Sequence, residues 1–250
     1  MVRRPLVVGN WKMNGTRESK KTLLTNILSG ISETAPAEVG VCAPYVFIPE
    51  AAELLENKAI LLGAQNVADE DEGAYTGEIS APMLREFGCD LAIVGHSERR
   101  LRYGESNQLV AARYKKALDH GLTPILCVGE TLEQREQGNT FTVIDEQLEA
   151  VFDMAGVESL ANAVIAYEPV WAVGTGRTAT VEQVQEIHEY LRRKISEREP
   201  EVSASVRILY GGSVKPENAR TLFGMPDVDG GLIGEASLDA ESFLSICHSV

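Results

Sequence analysis

Val164-Ile165-Ala166-Tyr167-Glu168-Pro169 is a short apolar run that stops on a carboxylate and a proline. Unbroken apolar character suits a parallel strand covered on both faces. The proline cannot donate to a sheet ladder, so the strand ends there. A glycine-containing stretch follows, and Thr180 then stands as an N-cap before a helical pattern over 180–198. Strand, polar stop, loop and helix make one βα unit. Outward from it the unit recurs to both ends of the chain. Strands are predicted at 6–9, 39–43, 60–65, 91–95, 124–129, 164–168, 207–210 and 231–234, and helices are clearest at 16–29, 107–120, 141–154, 180–198 and 238–249. Asn218 reads as a further N-cap and Gly121 as a stop after His120. Eight such units with no Pro/Gly/Ser-rich linker predict an α/β fold, a (β/α)₈ barrel in a single domain over 1–250. A doubly wound sheet would have fewer units and a nucleotide crevice.

Apolar residues make up 44% of the chain and charged residues 24%, enough to bury a core and too little charge for disorder. No apolar run approaches the ~20 residues that cross a bilayer, and Met1-Val2-Arg3-Arg4-Pro5 leads into a strand with no cleavage site of signal-peptide type. The four cysteines, Cys42, Cys89, Cys127 and Cys247, are far apart and without histidines at metal-ligand spacing. That argues against a disulfide framework and a structural metal, and makes the cytoplasm the expected compartment. With 23 basic and 37 acidic residues the net charge is −14, which repels nucleic acid and anionic membranes. An anionic substrate would therefore need positive potential from a few placed groups.

The polar and glycine-rich punctuation falls at strand ends: Asn10-Trp11-Lys12, Gly95-His96-Ser97-Glu98, Glu168-Pro169, Gly211-Gly212-Ser213 and Gly234-Glu235. In a barrel these ends converge on one rim, where barrel enzymes carry their chemistry.

Six segments resemble the triosephosphate isomerase family in order and spacing over nearly the whole chain. They are Gly9–Asn14 (GNWKMN), Gly63–Asn66 (GAQN), Gly95–Arg100 (GHSERR), Ala166–Gly176 (AYEPVWAVGTG), Tyr210–Val214 (YGGSV) and Asp229–Gly234 (DGGLIG). The resemblance implies the TIM-barrel fold, a homodimer and an isomerase of glycolysis and gluconeogenesis. That enzyme interconverts dihydroxyacetone phosphate and D-glyceraldehyde 3-phosphate through an enediolate, without cofactor or metal.

That chemistry needs a base, an electrophile for the carbonyl oxygen, a grip on phosphate and a dry site. By resemblance Glu168 is the base, and Pro169-Val170-Trp171-Ala172-Val173-Gly174-Thr175-Gly176, rigid at its start and glycine-rich at its end, is a hinged lid with Trp171 as a lid side chain. His96 is the electrophile; for this family a neutral imidazole beside a helix N-terminus is the established carbonyl polariser. Lys12 supplies the local cation, with Glu98 as its partner, and Asn10 meets the substrate oxygens. Asn10, Trp11, Lys12, Gly174, Ser213, Gly234 and Glu235 form the implied substrate-binding set, the last four through backbone N–H groups to the phosphate. The same resemblance implies that Cys127 lies near the base and that Thr76, in Gly73-Ala74-Tyr75-Thr76-Gly77-Glu78, reaches Asn10 and Lys12 of a second subunit.

Two positions depart from the family pattern. Arg177 stands where a lysine is usual after the lid, which keeps the charge. Glu235 stands where glycine is usual, and a carboxylate beside a phosphate is unfavourable unless it turns outward. Gly174-Thr175-Gly176-Arg177-Thr178-Ala179 also matches a dinucleotide fingerprint, but the lid segment separates it from its strand, and a true fingerprint makes the strand-to-helix turn directly.

Overall fold

The computed structural model describes residues 3–32, 34–172 and 179–250. Eight parallel strands close into a barrel in chain order, β1 (Leu6–Asn10), β2 (Glu38–Ala43), β3 (Ile60–Ala64), β4 (Leu91–Val94), β5 (Thr123–Val128), β6 (Val164–Tyr167), β7 (Arg207–Tyr210) and β8 (Gly230–Ile233). Closure is made by β1, whose Leu6 is in register with Glu38 on one side and Gly230 on the other. The eight predicted strands match these within one residue at each end.

Side chains alternate across the barrel wall, as strand geometry requires. Leu6, Val8, Cys42, Leu91, Ile93, Ile125, Cys127, Val164, Ala166, Leu209 and Leu232 fill the interior. Gly63 on β3 leaves space there: a Cβ would lie 2.5 Å from Cys42 Sγ and 2.9 Å from Leu91 Cβ. The alternate residues, among them Val7, Val41, Leu126, Ile165, Tyr167 and Ile208, face the helices.

Among the described residues the helices are α1 (Arg17–Gly30), α2 (Ile48–Leu55), α3 (Ala81–Glu86), α4 (Ser97–Tyr103), α5 (Asn107–Asp119), α6 (Leu132–Glu136), α7 (Thr140–Ala155), α8 (Val181–Ser196), α9 (Pro200–Ser205), α10 (Pro216–Phe223) and α11 (Ala240–Cys247). None of them is long and apolar enough to cross a membrane. The helix α8 shows why the sequence was legible. Thr180 accepts from the Gln183 N–H while Gln183 returns the bond to the Thr180 N–H, and Val184, Ile187, Leu191 and Ile195 form one buried stripe. Each buried aliphatic side chain contributes on the order of 1.5–3 kcal/mol. Gly121 takes the left-handed conformation predicted for it, at φ 71°.

Two local expectations are corrected. Asn218 is not an N-cap: α10 starts at Pro216, and the Asn218 side chain reaches back from the first turn to the Lys215 N–H at 2.8 Å. The last helix starts at Ala240, capped by Asp239, because Glu235–Leu238 forms a separate 3₁₀ turn. The Gly234-Glu235 amides therefore open that short turn rather than an α-helix.

Candidate active site

The rim at the carboxyl ends of the strands gathers the polar residues predicted from the strand ends. From β1, Asn10 is buried and its Oδ1 accepts the Lys12 N–H at 3.1 Å. Lys12 is one of two described non-glycine residues at positive φ, at 49°, a conformation that costs energy in a residue with a Cβ. Gln65 Nε2 holds the Lys12 carbonyl and the Cys42 carbonyl, both at 3.0 Å. The Lys12 ammonium, thus placed, pairs with Glu98 Oε1 at 2.7 Å. Trp11 is corrected. Its neighbour Asn10 faces the rim, so Trp11 points the other way, into the core beside α1, where it is 1% exposed with the Lys20 ammonium 5.1 Å from its ring centroid. Its side chain is not available to a substrate.

His96 caps α4: its Nδ1 accepts the Glu98 N–H at 3.2 Å, and its Nε2 lies 2.9 Å from Glu168 Oε1. Glu168 follows β6 and is 2% exposed, yet its carboxylate is well bonded. The Ser97 N–H donates to Oε2 at 2.9 Å and the Ser97 hydroxyl to Oε1 at 3.2 Å. The backbone is fixed from β5, where Val128 O accepts the Glu168 N–H at 2.8 Å. Gly129 permits this approach, since a Cβ there would lie 1.8 Å from Glu168 O.

Burial alone would push the Glu168 carboxyl up. His96, the Ser97 N–H and Lys12 outweigh it and hold the pKa below the usual value, so the group is an anion at neutral pH. For His96 burial pushes down, and the Glu168 carboxylate more than offsets it in this arrangement. The ring's hydrogen bonds are nevertheless those of a neutral imidazole, with the proton on Nε2 facing Glu168 and the Nδ1 lone pair facing an amide at a helix start. A second ring proton would break that amide bond. The upward pull also depends on the carboxylate beside Nε2, and goes when the carboxylate moves away. Burial first, and then Glu168, push the Cys127 thiol far up, so it is protonated packing against the base and not a nucleophile.

Of the remaining predicted residues, Ser213 is half-buried after β7, and its carbonyl accepts from Asn218 Nδ2 at 3.2 Å. Gly234 packs against the lysine: a Cβ on it would lie 3.4 Å from Lys12 Cε. Glu235 is exposed, and no hydrogen bond or ion pair of its side chain is found among the described residues. Thr76 is exposed on a loop whose residues 70–78 are all exposed. Gly174 lies outside the described residues, as do the other lid residues Val173, Thr175 and Gly176 and the following Arg177.

The start of the lid is anchored by a residue the sequence reading passed over. Glu130, fully buried after β5, accepts from Trp171 Nε1 at 2.9 Å, from the Tyr167 hydroxyl at 3.2 Å and from Arg135 at 3.0 Å. The Arg135 guanidinium also lies 4.9 Å from the Trp171 ring centroid. Gly129-Glu130 at a strand end carries the same signal that found the other site residues. Ser97 and Gln65 stand inside the family-like motifs, but nothing in the sequence points to their bonds with Glu168 and the Lys12 carbonyl.

Comparison with known proteins agrees with this geometry. A sequence profile described as triosephosphate isomerase matches residues 5–250. The triosephosphate isomerase of Methylococcus capsulatus is 67% identical over 249 residues, covering 100% of this chain and 99% of its own. That of Nitrosomonas europaea is 51% identical over 247 residues, 99% of this chain and 98% of its own, and that of Alcanivorax borkumensis 51% over 250 residues, 100% and 99%. With a matching profile across almost its whole length and relatives this similar from end to end, the chain belongs to the triosephosphate isomerase family.

Proposed function

We propose that this chain interconverts dihydroxyacetone phosphate and D-glyceraldehyde 3-phosphate, in glycolysis and gluconeogenesis, by moving one proton between adjacent carbons through an enediolate. The observation that carries this reading is the meeting, on one rim, of an ionised buried carboxylate, an imidazole bonded to it and a lysine ammonium. A buried anion is a stronger base towards carbon than a hydrated one, provided it can leave its present partners.

In this reading Glu168 leaves Ser97 and His96 and takes the proton from the carbon beside the carbonyl. Its departure frees the His96 Nε2–H to donate to the carbonyl oxygen. Lys12 and Asn10 stabilise the negative charge that grows on the oxygens, and Glu98 holds the ammonium in place. His96 Nε2–H gives its proton to the former carbonyl oxygen and takes one back from the neighbouring hydroxyl, and Glu168 returns the carbon-bound proton one carbon over. Backbone N–H groups of Gly174, Ser213, Gly234 and Glu235 receive the phosphate, consistent with the phosphate sites barrels form after strands seven and eight. No step calls for a metal or cofactor.

The chain acts as one (β/α)₈ domain over 1–250, in the cytoplasm, as a homodimer in which Thr76 reaches the partner's site. Exposed apolar side chains after β1, β2 and β3 support the dimer: Met13 at 96%, Val46 at 79% and Tyr75 at 48% exposure. A coupled assay on purified protein tests the activity. Turnover of dihydroxyacetone phosphate at roughly 1–10³ s⁻¹ or faster is expected; binding of the sugar phosphate without turnover would reduce the protein to a silent phosphosugar-binding barrel.

A further inference from the structure

Arg100 is the second arginine of Gly95-His96-Ser97-Glu98-Arg99-Arg100, and among the described residues its guanidinium makes three bonds, none to a carboxylate. Nε donates to Gly95 O at 2.8 Å, Nη1 to Asn107 Oδ1 at 2.7 Å and Nη2 to Cys127 O at 3.2 Å. The neighbouring Glu105 is committed elsewhere, to Arg99 at 2.6 Å and Arg113 at 3.4 Å. A largely buried cation held only by neutral acceptors is expensive, so its placement calls for a reason.

The acceptors supply one. The Gly95 carbonyl belongs to the peptide that enters His96. The Cys127 carbonyl belongs to the peptide before Val128, whose own carbonyl fixes the Glu168 N–H. Asn107 opens α5 behind both. One rigid fork therefore ties the turn that carries the electrophile to the strand that seats the base. Gly95 makes the grip possible: at φ 67° it turns its carbonyl towards α4, and a Cβ there would lie 2.9 Å from Arg100 Nη2. Arg100 also lines, with Ser97, Cys127 and Glu168, a cleft of about 430 Å³ that Lys12 does not line.

We propose that Arg100 is a positioning residue for the isomerisation, setting the separation of His96 and Glu168 through its three-way fork and supporting the Glu168 anion with an unpaired charge. This rests on the catalytic roles proposed above for those two residues. Burial lowers the Arg100 pKa, and the fields of the Glu168 and Glu105 carboxylates act against it. The other titratable groups facing Glu168 are His96, Lys12 and Cys127.

Two variants separate fork from charge. Arg100→Met removes both. It is expected to lower kcat ten- to hundredfold, as misplacement on the order of 1 Å does, with KM within about threefold. The acid limb of kcat/KM should move to higher pH, because the Glu168 anion loses a supporting cation. Arg100→Lys keeps the charge but cannot span three acceptors, so kcat stays low while the acid limb stays at the wild-type position. Substrate phosphate titration is common to all three enzymes and cancels in the comparison. The ¹⁵N shifts of the His96 imidazole read the same geometry without turnover, with one fixed tautomer in the wild type and averaged tautomers in Arg100→Met. If the wild type does not isomerise, the functional reading falls and these shifts still decide the case for Arg100. Should Arg100→Met fail to fold, Arg100→Lys carries the test, and wild-type kcat in that variant overturns the fork. Folded Arg100→Met with wild-type kcat, acid limb and imidazole shifts overturns the proposal outright; a lowered melting temperature with those three unchanged does the same.

Discussion

His96 Nε2 lies 2.9 Å from Glu168 Oε1, so the proposed electrophile and the proposed base satisfy each other. The bond keeps two buried polar groups from going unpaired, and one movement of the carboxylate frees both for a substrate. It also makes the reaction sensitive to the reach of that side chain. Glu168→Asp keeps the charge and withdraws the carboxylate by one methylene. We expect kcat to fall by on the order of 100-fold with much less change in substrate binding; an unchanged kcat would remove Glu168 from the role of base.

What the sequence disclosed and what it hid follow from the same geometry. Strand ends converge in a barrel, so Asn10, Lys12, His96 and Glu168 could be named together although 158 positions separate the first from the last. For Trp11 the sequence named the position but not the direction of the side chain, because one residue along a strand reverses the face. Asn218 was misread because an amide reaching back from the first turn has the same sequence signature as a cap reaching forward. Glu130 was within reach of the strand-end rule and was not weighed. Arg100 was out of reach, because its meaning depends on a side chain crossing from α4 to β5.

His188 should make the fold sensitive to acid. It is completely buried on α8, its Nδ1 lies 3.2 Å from the Asp227 carbonyl, and its ring meets Tyr167 edge-on. Burial lowers its pKa to about 4. The folded state thus refuses a proton that the unfolded chain accepts below about 6.5, and the unfolded state binds more protons across that interval. Stability contributed by the neutral ring is full above pH 6.5 and is lost as pH falls towards 4, by up to about 3 kcal/mol. Urea midpoints at pH 7 and 4.5, at one protein concentration, should differ less in His188→Gln than in the wild type. An equal difference in the two would show that other groups set the acid limit.

The exposed loop at 73–78 and the exposed Met13 and Val46 should be covered in solution. Sedimentation of the active protein should give twice the chain mass. An active species with the mass of one chain would contradict both the dimer and the reach of Thr76 into a partner.

Loss of the lid should change the product as well as the rate. An enediolate phosphate left in water can expel its phosphate, and exclusion of water prevents this. Deleting residues 170–175, which also removes the Trp171 bond to Glu130, should raise methylglyoxal and inorganic phosphate relative to isomerised product. Slow isomerisation without extra phosphate release would leave the lid a binding role only.

Glu235 tests the phosphate end of the site. Its side chain is exposed, and its backbone opens a 3₁₀ turn of four residues. A carboxylate at the first turn of an exposed α-helix gains ~0.3–1 kcal/mol from the helix field; a turn this short has fewer aligned peptides and gives less. The phosphate proposed to sit at these amides is therefore held mainly by direct N–H bonds and by Lys12, whose side chain lies against Gly234. An exposed carboxylate turned to solvent leaves those bonds intact and adds a screened repulsion. Glu235→Gly should accordingly lower KM by at most roughly tenfold, equivalent to ~1.4 kcal/mol, without altering the chemistry at Glu168 and His96. Glu235→Gln removes the charge without loosening the backbone, so it should show most of the same gain. KM follows affinity only if substrate leaves faster than it reacts, so the dissociation constant of a phosphate-bearing analogue is measured alongside. A gain in analogue affinity far beyond tenfold in either variant would mean that the carboxylate turns into the phosphate site, and the outward placement would be wrong.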